Sequence, residues 1–301
     1  MALEPRPLAR RAAAIQPFYV MELLARARAL EAAGRDIVHM EVGEPDFPTP
    51  APIVEAGVRA LRGGLTRYTP ATGLPALREA ISAFYQQRYD LSIAPARIVV
   101  TPGASGALQL AVAALVEAGA QVLMADPGYP CNRHLVRLVE GEVESLPVRA
   151  EDGFQPTVAA VQSAWSARSA ALLLASPANP TGTLMPAERL RTIVDVVHRA
   201  GGRVVVDEVY HALVYGIAPS SALAVSDELF VVNSFSKYFG MTGWRLGWLV
   251  APPAYIPCLE RLAQNLFLAA PTPAQHAALA AFEPDTLAIL EQRRRVFQQR
   301  R

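Results

Sequence analysis

Of the 28 basic residues in this 301-residue chain, one, Lys237, is lysine and the other 27 are arginine. The difference is chemical. A guanidinium stays protonated and cannot act as a neutral nucleophile, whereas a lysine amine can lose its proton and form a Schiff base with a carbonyl compound. Composition alone leaves an ordinary surface lysine as an equal reading, so the neighbours decide. Lys237 closes the run Asn233-Ser234-Phe235-Ser236-Lys237, and the chain continues through Gly240, Thr242, Gly243, Arg245 and Gly247 to Trp248. Glycines among aromatic residues make a compact, irregular segment able to bring Arg245 back towards Lys237.

Other polar groups share that setting, each just after a short apolar run. Gly103, Ala104, Ser105 and Gly106 follow Ile98–Thr101 and open a helical pattern. Small residues there let the backbone approach an anion, and free N–H groups with the helix dipole favour phosphate. The glycines do not form GxGxxG, and a plain strand-to-helix turn is the alternative. Asp207 ends Val204-Val205-Val206, where a buried carboxylate needs a cation or several donors. It is either a partner for a protonated ring nitrogen, or a helix cap or arginine pair. Tyr210, three residues on, can present its hydroxyl to the same ligand or simply pack. Asn179 lies in Ser176-Pro177-Ala178-Asn179-Pro180-Thr181-Gly182 between prolines that aim its side chain, unless this is only a proline-rich turn. A lysine, two serines and an arginine near one glycine-rich nest suit a phosphate-bearing aldehyde.

The elements that must position these groups alternate. Ile98–Thr101, Gln121–Ala125, Ala171–Ala175, Arg203–Asp207 and Leu229–Asn233 read as buried strands. Between them Leu77, Ala80, Ile81 and Phe84, and again Leu190, Ile193, Val194 and Val197, have helical spacing. Strand–helix alternation predicts an α/β fold with a mostly parallel sheet covered on both faces, whose ligand site lies beyond the carboxyl ends of the strands.

Composition narrows the partners. Hydrophobic residues are 52% and charged residues 18%, enough for a sizeable core, and the net charge of +1 gives no reason to expect nucleic acid or an anionic membrane. Cys131 and Cys258 have neither metal nor redox spacing, which fits a reducing cytoplasm, and no metal site is expected. Arg6, Arg10 and Arg11 precede no continuous apolar run. Phe18–Ala33 is interrupted by Glu22, Arg26 and Arg28 and reads as an amphipathic helix, neither signal peptide nor membrane span.

The string from Asn233 to Trp248 resembles the lysine motif of the class I and II pyridoxal-phosphate-dependent aminotransferases. Supporting motifs run in family order: Gly43-Glu44-Pro45-Asp46-Phe47-Pro48, Tyr68-Thr69-Pro70-Ala71-Thr72-Gly73, Gly103-Ala104-Ser105, Pro127-Gly128-Tyr129-Pro130, the Ser176–Gly182 segment and Asp207-Glu208-Val209-Tyr210. The resemblance spans residues 17–283 and is nearest the prokaryotic aspartate-aminotransferase-like branch. It implies a fold-type I transferase, with residues 1–45 an N-terminal arm and part of a small domain and residues 46–283 the large cofactor domain. Residues 284–301 would begin a helix linking to a C-terminal small domain that is missing here. It further implies amino-group transfer between an α-amino acid and a 2-oxo acid. Lys237 would form the Schiff base and move the proton, and Asp207 would pair with the ring nitrogen. Tyr129 would stack on the ring, with Asn179 and Tyr210 on its 3-oxygen. The phosphate would be held at Gly103, Ala104 and Ser105, by Ser234, Ser236 and Arg245, and by Tyr68 of a neighbouring subunit in a homodimer. Gly43 and Asn179 would touch the substrate.

The departure is at the C-terminus, where the arginine that grips the substrate carboxylate has no counterpart before Arg301. A chain ending within that helix is expected to leave Leu287, Leu290, Val296 and Phe297 uncovered. Two alternatives follow: cofactor binding with little turnover, or another pyridoxal-phosphate reaction such as β-elimination or decarboxylation. A dinucleotide-binding fold is disfavoured by the lysine motif and the missing GxGxxG.

Overall fold

A computed structural model describes residues 8–218 and 220–301 of the chain. Arg6 lies outside the described residues. Among these residues seven strands form one sheet: β1 (Ile98–Thr101), β2 (Gln121–Asp126), β3 (Glu142–Pro147), β4 (Ser169–Ala175), β5 (Arg203–Asp207), β6 (Phe230–Ser234) and β7 (Gly247–Val250). Their order is β1-β7-β6-β5-β4-β2-β3, parallel throughout except that β7 runs antiparallel to both its neighbours. The five expected strands are present within one or two residues at each end. β3 and β7 are additions. β3 is an edge strand whose Glu142 and Glu144 interrupt any apolar run, and β7 is only four residues long within the glycine-rich segment.

Among the described residues eleven α-helices accompany the sheet: α1 (Arg10–Ala13), α2 (Tyr19–Ala32), α3 (Ala51–Arg62), α4 (Pro75–Tyr89), α5 (Gly103–Leu115), α6 (Pro130–Leu138), α7 (Val158–Ala164), α8 (Ala187–Arg199), α9 (Ile256–Leu266), α10 (Thr272–Leu279) and α11 (Pro284–Arg300). They cover both faces, as strand alternation shows. Ile98, Val100, Leu123, Leu172, Val204 and Val206 join the core beneath α4 and α8, whereas Val99, Val122, Leu173 and Val205 join the core beneath α5 and α9. Successive side chains point to opposite faces, so a run that is apolar at every position must be covered twice.

One expectation is met and one needs correction. The helix expected at Phe18–Ala33 forms as α2, with Val20, Leu24, Ala27 and Leu30 half-buried at helical spacing and Tyr19, Met21 and Leu23 exposed. Conversely, Leu290 is 1% exposed and Leu287 packs against the core, because α11 lies along the domain beside the 3-10 turn Ala280–Phe282. Phe297 meets the ring of Phe47 at 5.4 Å. Among the described residues no helix is long and apolar enough to cross a membrane.

Candidate active site

The polar strand ends converge. A cavity of about 200 Å³ is lined by Ala104, Ser105, Tyr129, Asn179, Asp207, Tyr210, Ser234, Ser236, Lys237 and Arg245, with Leu108, Ala175, Pro177, Val209 and Thr242 completing the wall. It lies beyond the carboxyl ends of β4, β5 and β6, where an open parallel sheet leaves a crevice.

One end suits an anion. The first turn of α5 begins at Gly103, whose φ of +72° suits glycine, and Arg245 folds back over it in the left-handed region at φ +53°. Arg245 Nη1 donates to the Thr242 carbonyl at 2.9 Å. A Cβ on Gly247 would meet the backbone of Gly103 at 2.7 Å and of Ala104 at 2.8 Å, so β7 and α5 touch backbone to backbone. Ser234 and Ser236 are buried, and the Ser234 hydroxyl donates to that of Ser236 at 2.9 Å while accepting the Ser236 N–H at 3.0 Å. Hydroxyls, a guanidinium and a helix N-terminus here face one space.

The floor carries Asp207. Its Oδ1 accepts the Val209 N–H at 3.0 Å, and among the described residues no basic side chain pairs with it, which leaves the arginine-pair alternative without support. Burial raises its carboxyl to about 6, against the lowering effect of the Val209 N–H, and the neighbouring Glu208 charge adds to the rise. Lys237 stands between floor and mouth. Its Nζ donates to the Gly43 carbonyl at 2.7 Å and lies 5.6 Å from the Tyr210 ring centroid. Burial lowers the amine's pKa, Glu44 opposes that shift and Arg245 adds to it. Tyr129 meets Phe18 edge-on at 6.0 Å, and burial raises its phenol, as it does that of Tyr210.

Immediately after Lys237 the chain turns into the core. The Tyr238 hydroxyl donates to Glu291 Oε1 at 2.7 Å, and Arg88 Nη1 donates to the same oxygen at 2.8 Å. Arg88 also donates to the Ala212 carbonyl at 3.1 Å, and Arg294 Nε donates to Glu291 Oε2 at 2.7 Å. This hub ties α4, α11 and the turn after Tyr210 to the residue next to Lys237.

Three expected site residues stand apart from the cavity wall. Gly103 lies beneath Arg245. Gly43 reaches the site through the Lys237 contact and lines an adjoining cavity of about 590 Å³, which shares Pro177, Asn179 and Tyr210 with the first. Tyr68 is 85% exposed and lines no part of its own chain's cavity. Sequence reasoning passed over Thr242, whose only signal was a hydroxyl within the glycine-rich run. It also passed over Glu44, visible only as the acid following Gly43.

The family model described as aminotransferase class I and II matches residues 35–301. The chain is 40% identical over 278 residues to a valine–pyruvate aminotransferase of Mycobacterium tuberculosis, covering 92% of this chain and 71% of that protein. It is 36% identical over 281 residues to an aspartate aminotransferase of Thermotoga maritima, covering 92% and 74%. The solved aspartate aminotransferase of Thermus thermophilus with maleate superposes at a TM-score of 0.93 with 33% identity, covering 98% of this chain and 78% of that one. With that agreement in sequence and fold, the chain belongs to the class I and II aminotransferases, enzymes that depend on pyridoxal 5'-phosphate.

Proposed function

We propose that Lys237 binds pyridoxal phosphate covalently, and that the enzyme moves an amino group between an α-amino acid and a 2-oxo acid. The observation that carries this reading is that the single lysine shares one cavity with Asp207 and with Arg245, Ser234 and Ser236. The donor set fits the group. Its phosphate end matches the hydroxyls, guanidinium and α5 N-terminus, whose first N–H groups have no partner within the helix. Its ring nitrogen matches a carboxyl that, among the described residues, has one N–H partner and no cation.

When bound, the cofactor supplies a carbonyl carbon for the amine and a conjugated ring that takes up charge from the substrate's Cα. The residues of the chain do the rest. Lys237 accepts and returns the proton at Cα, which suits an amine whose burial favours its neutral form. Asp207 ionises against the protonated ring nitrogen and holds that proton in place. Tyr129, Asn179 and Tyr210 line the cavity, where the first would cover the ring and the other two would hold its 3-oxygen. Ala104, Ser105, Ser234, Ser236 and Arg245 fix the phosphate. Gly43 and Asn179 border the substrate space.

The reading extends to a homodimer in which the exposed Tyr68 of one copy completes the phosphate site of the other, with Leu61 and Leu65 exposed on the same stretch of chain. Residues 46–283 then form the cofactor domain, residues 1–45 an arm and residues 284–301 a linking helix. The cytoplasm suits two unpaired cysteines. Borohydride reduction of the protein with pyridoxal phosphate, followed by peptide mapping, tests the central assignment. The expected label is on the Lys237 peptide. Label confined to the N-terminal amine overturns it.

A further inference from the structure

Residues 43–49, which form neither helix nor strand, run beside the Lys237 segment as a strap fastened on two sides. Towards the cavity, Thr242 Oγ1 donates to Glu44 Oε1, Thr49 Oγ1 donates to the Gly240 carbonyl at 2.7 Å, and Trp244 Nε1 donates to Thr49 Oγ1 at 3.1 Å. Towards α11, Arg300 Nη1 donates to both carboxylate oxygens of Asp46, at 2.9 and 2.8 Å, and Arg293 Nη1 donates to the Pro48 carbonyl at 2.6 Å. The Lys237 amine touches the strap at Gly43, one residue before Glu44.

We propose that Glu44 is a positioning residue for Lys237: bonded to Thr242 on the cavity wall, one residue from the carbonyl that the amine touches, its carboxylate serves as the amine's counter-charge. The inference rests on the role of Lys237 given above and adds a residue to it. The charged and titratable groups around the amine come from every side. Tyr210 and Asp207 belong to the end of β5, Tyr129 to the start of α6, Arg245 to the glycine-rich segment and Glu44 to the strap.

Burial and the Arg245 charge both disfavour the protonated amine, and Glu44 acts in the opposite sense. Asp207 stands at the floor with Oδ1 engaged by the Val209 N–H. A lysine that must take a proton from carbon loses strength as a base when its pKa falls too far. Glu44 limits that fall. Its bond to Thr242, whose carbonyl accepts from Arg245, also fixes the distance between the two opposing charges.

The single lysine makes the test direct. Cofactor-free protein grown with 13C-lysine carries one Cε resonance, and its pH dependence reports the free Lys237 amine alone. Glu44→Gln should lower the midpoint by on the order of half a pH unit, the size of one solvent-screened charge at a separation of several ångströms. Glu44→Asp should restore most of the parent midpoint. Glu22→Gln, which removes a charge from α2, should leave it in place. A Glu44→Gln midpoint equal to the parent's overturns the proposal, as does an equal shift from Glu22→Gln. The borohydride experiment is separate: label absent from Lys237 defeats the cofactor assignment, whereas the lysine titration addresses Glu44 alone.

Discussion

A β-carbon on Gly103 would stand 2.6 Å from Nη2 of Arg245, closer than the two atoms can approach. The guanidinium occupies the space a side chain would need, and the backbone at Gly103 already has a positive φ. Gly103→Ala therefore combines backbone strain with displacement of Arg245. We expect a loss of about 1–2 kcal/mol in stability and at least a tenfold weaker affinity for pyridoxal phosphate. Absorbance titration of the cofactor and urea unfolding measure the two effects. Unchanged cofactor affinity would show that Arg245 does not hold the phosphate.

Asp207 makes the cofactor-free protein less stable as pH rises. Its carboxyl is raised from 3.8 to about 6, so the folded state holds a proton that the unfolded state has released between those values. Stability from this group falls across that window and stays low above it. Asp207→Asn should thus match the parent near pH 4 and exceed it by about 1–2 kcal/mol at pH 8 in unfolding without cofactor. With cofactor, the same variant should lose most exchange of the substrate α-proton. A variant no more stable at pH 8 than the parent would mean that the carboxylate is already compensated.

Glu291 behaves in the opposite sense. Burial pushes its carboxyl up, but the bonds from Arg294, Tyr238 and Arg88 outweigh burial and hold it at about 2. The stabilisation is complete above the unfolded value of 4.5 and disappears as pH falls towards 2. Glu291→Gln should cost about 1–2 kcal/mol at pH 7, allowing for solvent screening, and little at pH 2.5. Thermal unfolding across that range checks it. A cost that does not change with pH would point to packing, not charge.

If Tyr68 serves a second copy, cofactor and dimer stabilise each other, because a ligand that binds only the assembled state favours it by mass action. Sedimentation of the parent should show a dimer dissociation constant that falls on adding pyridoxal phosphate. Tyr68→Phe should reduce that dependence at least severalfold. Identical constants with and without cofactor would remove Tyr68 from the site.

Lys237, Asp207, Ser234 and Asn179 were legible because each follows an apolar run ending at the same sheet edge, so topology alone brings them together. Glu44 was not. Its partner Thr242 is 198 residues away, and no local pattern announces that this strap will run beside the Lys237 segment. β7 escaped because direction in a sheet is fixed by pairing, and Gly247–Val250 has too few residues to show periodicity. The burial of Leu290 was equally hidden. An arginine-rich helix reads as solvated, while its neighbours Thr286 and Leu290 lie one turn apart and seat one face on the core.

The place of β7 bears on how the protein emerges during synthesis. β1 has one sheet partner, and its register pairs Ile98 with Val250. Until residue 250 has left the ribosome, β1 has no strand to pair with, although β2 to β6 can already pair among themselves. The anion-binding corner is thus closed last, by a strand arriving about 150 residues after the one it clasps, as the cost of a long loop closure requires. A nascent chain stalled after Ser234 would hold Asp207 and still lack the amine and the guanidinium, so affinity for the cofactor arises only once residue 245 has emerged.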